Sequence, residues 1–302
     1  MSNDLKHLHI GVWPFLDEEP EHRITRLYMP KWVSYGRGNE ALARMEHLVR
    51  HPPCGRMPSM LLYGDSDIGK TMIVDKFIRD HPDICNEHGE VEIRKVLRLQ
   101  MPSKPNDDKL YAQIIQGLGH QAPYSRRGTD LEILGLRLLY RQPPRLMIVD
   151  EVHHLLAGSV REQRQSLNQL KFLSNELRMP IIALGTSEAL YAMQADPQIA
   201  SRFEPMALPR WRESAGLREF VVSFGRLLPL HRPSPFGEKE MIQKLMAFSG
   251  GLTGRITTLL AQAAELAIRE KAECITLERL ERAAGAGIFK LPVEEEPYET
   301  DA

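Results

Sequence analysis

Apolar residues recur along this chain with two alternating periods. Unbroken or nearly unbroken apolar runs occur at Met60-Leu61-Leu62-Tyr63, Val96-Leu97-Arg98-Leu99, Leu146-Met147-Ile148-Val149 and Pro180-Ile181-Ile182-Ala183-Leu184. Runs this short predict buried strands, the first bounded by Pro58 and Gly64. Between and around them, apolar positions fall at helical spacing, which predicts helices over 40–50, 70–79, 107–118, 131–140 and 161–178. Gly36-Arg37-Gly38-Asn39 reads as a turn whose last residue caps the first helix, and His51-Pro52-Pro53 ends it. Strands alternating with helices predict a parallel sheet covered on both faces.

The pattern changes after about Trp211. From there the strong segments are all helical, over 238–248, 253–269 and 276–284, with Gly250-Gly251 separating the first two. The expected organisation is an N-terminal extension over 1–35, an α/β nucleotide-binding domain over 36–211, a helical lid domain over 212–288, and an acidic, disordered tail over 289–302. In the proline-interrupted extension, Trp13, Tyr28, Trp32 and Tyr35 read as packing anchors.

Composition narrows the class without choosing the function. The 302 residues are 42% hydrophobic and 26% charged, ordinary proportions for a globular protein. No apolar run approaches the about 18 residues of a membrane span, and Met1 to His7 lacks the apolar core of a signal peptide. Cys54, Cys85 and Cys274 are scattered, as reduced thiols are, so a cytoplasmic protein is expected. A net charge of −1 provides no global field for nucleic acid, so any such binding needs a local basic face. Adjacent side chains on a helix point about 100° apart, so His153-His154 is expected to chelate metal poorly.

The chemistry sits at two strand ends. Gly64-Asp65-Ser66-Asp67-Ile68-Gly69-Lys70-Thr71 fits the P-loop pattern G-x-x-x-x-G-K-[ST] at every required position, between an apolar strand and an amphipathic helix. Gly64 and Gly69 allow backbone angles that turn amide N–H groups toward phosphate, and the following helix offers its N-terminal amides to the same anion. Lys70 supplies charge for the β- and γ-phosphates, and Thr71 a hydroxyl for magnesium. The run Leu146 to Val149 then delivers Asp150 as a second magnesium ligand and Glu151 as the general base for an attacking water. Asp150 follows Lys70 by 80 residues, which leaves room for an intervening strand. An ATPase using ATP and Mg2+ is expected.

From about Tyr35 to Ala284 the chain resembles AAA+ ATPases of the initiator and clamp-loader clade. The resemblance implies an α/β fold with a parallel five-stranded sheet core and a small all-helical C-terminal lid. It implies that Thr186, or its neighbour Ser187, is the sensor-1 polar residue. It also implies that Arg202 in Ala200-Ser201-Arg202-Phe203 is an arginine finger reaching a neighbouring subunit's γ-phosphate, and that Arg255 after Gly254 is sensor 2. A finger of that kind implies a homo-oligomer, as a ring or a filament.

Within AAA+ proteins the sequence resembles the TniB family of transposition ATPases. Three stretches carry this: Arg23-Ile24 through Tyr28-Met29-Pro30-Lys31-Trp32; Gln100-Met101-Pro102-Ser103-Lys104-Pro105 leading into Leu110-Tyr111 and Ile114-Ile115; and Asp150 to Leu156 with Leu170 to Leu177. The resemblance implies a regulator that assembles on duplex target DNA, recruits or activates a DDE transposase, and works with a TniQ-type targeting protein. It implies DNA contacts at Lys104, Arg126 and Arg127, where basic side chains would neutralise phosphates. Asp65 and Asp67 depart from the small or neutral residues common at those loop positions. Two other readings stay open: an AAA+ ATPase serving helicase loading or secretion, and an ATP-gated scaffold with little hydrolysis.

Overall fold

A computed structural model describes residues 5–85, 87, 91–104, 106–123, 128–194 and 196–286. In chain order the helices are α1 (Pro20–Leu27), α2 (Gly36–Arg50), α3 (Lys70–Asp80), α4 (Asp107–Gly117), α5 (Gly128–Arg141), α6 (Val160–Glu176), α7 (Ser187–Gln194), α8 (Pro197–Ala200), α9 (Ala215–Gly225), α10 (Lys239–Ser249), α11 (Thr253–Arg269) and α12 (Leu277–Gly285). The strands are β1 (Ser59–Tyr63), β2 (Ile84–Cys85), β3 (Val91–Ile93), β4 (Val96–Gln100), β5 (Leu146–Asp150), β6 (Ile181–Gly185) and β7 (Phe203–Ala207). Strands β2 and β3 form a small antiparallel pair, and the other five make one sheet in the order β4-β5-β6-β1-β7.

Every pairing in that sheet is parallel. The four apolar runs became four of its strands, and β5 and β6 are buried at every position. The fifth strand, β7, was hidden in the sequence because Glu204 and Pro205 interrupt it and are exposed. Proline lacks a donor and survives in a sheet chiefly at an edge, which is where β7 lies, paired only with β1. The helices cover the sheet with Leu110, Ile114, Leu139, Leu167, Leu170 and Leu173, all buried.

Helix α2 starts at Gly36, so the expected turn is helical instead. Arg37 holds this first turn by donating to the Ala207 carbonyl at 2.8 Å and pairing with Glu40, and Gly38 is buried. Long-range contacts here override the turn propensity of the local sequence. Helix α6 begins where Ser159 and Glu162 form a reciprocal capping box.

The chain divides into two compact units. One comprises Arg37–Ser66 and Lys70–Pro209; the other gathers the described residues up to Gly36, Asp67–Gly69, and those from Arg210 onward. The second has its own core, with Ile24 and Leu27 of α1 packed among Leu217, Phe220, Leu245, Leu259, Leu260 and Ile268. Tyr35 packs there against Trp211, tilted, and edge-on against Phe220, whereas Tyr28 is half exposed and its hydroxyl donates to Glu265. Among the described residues, no helix is long and apolar enough to cross a membrane.

Among the described residues of that unit Arg23 is the buried charged side chain, at 4% exposure. Its guanidinium donates to both carboxylate oxygens of Glu273, one at 3.0 Å, and to the Pro229 carbonyl at 2.6 Å. This clamp ties α1 to the loop after α11. Removing one partner strands a buried charge, so R23A lowers unfolding stability by about 3 kcal/mol. A urea titration followed by circular dichroism measures it, and an unchanged midpoint contradicts the clamp.

Candidate nucleotide site

The sheet order assembles the site. Strand β6 lies between β5 and β1, and all three run the same way, so their C-terminal tips share one edge. At about 4.8 Å per strand spacing, the loop after β1 and the carboxylates after β5 stand about 10 Å apart, with Gly185 and Thr186 between them. Ligands bind at this edge in open parallel sheets. The Gly64 amide donates to the Gly185 carbonyl at 3.2 Å, which fastens the start of the loop to β6.

The loop curls tightly before α3. Gly69 has φ +103°, a conformation that L side chains rarely adopt, and Asp67 is left-handed at φ 61°. The expectation of a special backbone is thus met at Gly69; the second such position is Asp67, not Gly64. Asp is among the residues that visit this region most easily, which gives Asp67 a local reason to be there. Ile68 is buried and anchors the loop, while Ser66 and Asp67 are exposed and Asp65 is half-buried. Lys70 opens α3 and donates to the Gly64 and Asp65 carbonyls, both at 2.8 Å. Thr71 sits exposed in the first helical turn beside it.

Asp67 also receives a hydrogen bond from the amide of Gly254 at 2.7 Å, in the first turn of α11. A side chain at Gly254 would bring its Cβ within 3.1 Å of the Asp67 carbonyl oxygen, so glycine permits this approach. Arg255 follows directly in the same turn and is half-buried.

Asp150 is buried at the tip of β5. Its Oδ1 accepts from the Glu151 amide at 2.9 Å, and its Oδ2 from the Arg98 guanidinium at 2.7 Å. Arg98 also donates to Asp75 of α3 at 2.7 Å, so one side chain of β4 joins the carboxylate tip to the helix that begins at Lys70. Each carboxylate oxygen keeps a further lone pair after one such bond. Arg98 was missed in the sequence because it lies inside an apolar run.

Glu151 is left-handed at φ 56° and opens a short 3-10 turn, Val152–Ala157. Its carboxylate lies 3.0 Å from His153 Nε2. The turn departs from α-helical spacing, and one donor atom each of Glu151, His153 and His154 fall within 4.8 Å of one another. That differs from the divergence expected of neighbouring histidines. His154 is tethered through Nδ1 to the Met101 carbonyl at 3.1 Å.

Thr186 follows β6, half-buried, and its hydroxyl donates to Glu188 at 2.8 Å; Ser187, the alternative, is exposed at the start of α7. Arg202 is elsewhere. It precedes β7, whose first residue pairs with Ser59 at the N-terminal end of β1. Tyr63 lies four residue steps from that end, about 13 Å along the sheet, so Arg202 lies at the edge opposite the loop. Lys104 is exposed in the segment after β4. Arg126 and Arg127 lie outside the described residues.

The donor set fits magnesium and a polyphosphate: a hydroxyl and a carboxylate, both hard oxygen donors, beside a helix N-terminus and a lysine.

Comparisons with known proteins bear on the family and the fold. The family described as bacterial TniB protein matches residues 23–213, more than half of the chain, and the chain belongs to that family. Among curated proteins, no sequence relative matches. Among solved structures, the Aeropyrum pernix ORC1 protein in complex with DNA is similar at TM-score 0.65 and 17% identity, over 87% of this chain and 69% of that one. The Aeropyrum pernix ORC2 protein, in ADPNP and ADP complexes, is similar at TM-score 0.59 and 20% identity, over 87% and 72%. Drosophila ORC bound to DNA is similar at TM-score 0.55 and 15% identity, over 90% and 67%. The fold is that of AAA+ P-loop proteins, with a five-stranded parallel sheet and a helical C-terminal unit.

The Arg98 bridge has a measurable consequence. R98M removes the cation from a buried carboxylate and lowers stability by about 2 kcal/mol, and adding D150N recovers most of that loss. Chemical denaturation of the two single variants and the double variant checks this. Strictly additive losses contradict the pairing.

Proposed function

We propose that this TniB-family chain is an ATP-dependent regulator of DNA transposition, an AAA+ ATPase that oligomerises on duplex target DNA and there recruits or activates a DDE transposase. The observation that carries the reading is the sheet order, which sets the Gly64–Thr71 loop and the Asp150–Glu151 tip one strand apart on the same edge. Family membership supports the transposition context. Three similar structures supply further support: two are of DNA complexes, and one holds nucleotides.

In this reading the amides of Gly64 to Gly69, with Asp65, Ser66, Asp67 and Ile68 forming the curl, hold the phosphates of ATP. Lys70 turns from the loop carbonyls to neutralise the β- and γ-phosphates, and Arg255 adds charge from α11. Thr71 and Asp150 would hold Mg2+, which neutralises charge developing on the phosphates when bound. Glu151 takes the proton of the attacking water, held beside His153, and Thr186 orients that water. Arg202, on the opposite edge, completes the site of a neighbouring subunit, which couples ATP binding to assembly. Lys104, with Arg126 and Arg127, contacts the duplex backbone, and a TniQ-type protein is a further partner for targeting.

Two variants test the chemistry. K70A loses nucleotide affinity by about 100-fold in a fluorescent-nucleotide titration, and a variant that binds normally removes Lys70 from the phosphate site. E151Q binds ATP, hydrolyses it about 100-fold more slowly in a phosphate-release assay, and accumulates as oligomers on duplex DNA; wild-type turnover excludes Glu151 as base. A pull-down against a DDE transposase and a replicative helicase decides the client.

A further inference from the structure

A second arginine stands beside Arg202. Arg56, exposed in the segment before β1, donates to the Ser201 side chain and, at 3.2 Å, to the Ser201 carbonyl. Arg202 donates to the Asn175 side-chain carbonyl. Both guanidiniums therefore have neutral partners, and among the described residues neither is paired with a carboxylate. Their neighbours behave differently. Arg44 engages Glu40 and Glu204, and Arg37 engages Glu40 as well, so these two carboxylates, which line the same cavity as the pair, are already occupied.

Arg56 and Arg202 line one cavity of about 770 Å³, together with Arg44, His47 and Glu204. Burial, and then the charge of Arg56, draw the Arg202 pKa below its usual value. Two like charges lining one cavity repel each other, and an anion bound between them relieves that repulsion. Guanidinium forks match phosphate oxygens in pairs.

We infer that Arg56 and Arg202 together form a two-arginine receptor for the terminal phosphates of a nucleoside triphosphate held in the loop of a second copy of this chain. The inference rests on the proposed trans role of Arg202 and extends it to a residue 146 positions earlier. The chain's own loop is excluded by direction. Strands β1 and β7 run parallel, with the cavity at their N-terminal ends and the loop beyond the C-terminal end of β1. A cavity of this size with two guanidiniums in its lining suits a compact polyphosphate; a duplex, which spreads its charge along its length, suits it less.

The full-length chain tests this with R56A and R56Q, which remove charge at an exposed position and are checked for an unchanged thermal midpoint. Each keeps wild-type nucleotide affinity at dilution, where subunits are apart. Each loses ATP-driven assembly and turnover by about 10-fold or more. Mixing R56A with K70A restores turnover, because K70A presents an intact arginine pair to the loaded loop of R56A. Wild-type assembly in both Arg56 variants, or a mixture no more active than its parts, overturns the inference. So does weaker duplex binding without nucleotide while assembly persists, which assigns the cavity to DNA phosphates. R202A run in parallel separates the two levels. If R202A is impaired and R56A is not, the role of Arg56 falls alone; if both behave as wild type, the trans reading of Arg202 falls with it.

Discussion

The parallel pairing of β6 between β5 and β1 is the constraint on which the rest depends. Because all three strands run the same way, the residues that follow them meet on one edge, and the residues that precede β1 and β7 meet on the other. One edge gathers the glycine-containing loop, Lys70, Thr186, Asp150 and Glu151. The opposite edge gathers Arg56 and Arg202. In the proposed function this separates the groups that hold a nucleotide from the arginines that sense one, and head-to-tail contact between copies would unite them.

The arginines of the α/β unit differ in what they are paired with. Arg98 is spent on carboxylates: it joins Asp150 to Asp75 and so couples the tip of β5 to the helix that starts at Lys70. Arg44 is likewise taken up by Glu40 and Glu204. Among the described residues, the hydrogen-bond partners of Arg56 and Arg202 are an amide oxygen, a hydroxyl and a carbonyl. In the proposed reading, an incoming anion engages this pair rather than the arginines already held by carboxylates. Glu151 has a left-handed backbone and His153 against its carboxylate, and among the described residues no lysine or arginine pairs with it.

Much of this was legible in the sequence where the signal was local. The loop could be read because eight consecutive residues carry it, and β1, β5 and β6 because fully buried strands appear as unbroken apolar runs. Strand β7 was illegible, because Pro205 and Glu204 erase the run and only pairing with β1 makes it a strand. Helix α1 was masked by the prolines around it, although Pro20 is well placed at a helix start. The first turn of α2 reads as a loop until the contacts of Arg37 are known. The Arg98–Asp150 and Arg56–Ser201 pairs span 52 and 145 residues, and no local pattern announces them.

A structure of the chain bound to a non-hydrolysable ATP analogue with Mg2+ tests the central claim most directly. The expected result is a triphosphate cradled by the amides of Gly64 to Thr71, with the metal on the Thr71 hydroxyl and reached by the Asp150 carboxylate directly or through water. A nucleotide seated elsewhere, or an Asp150 carboxylate turned away from the metal, would contradict it.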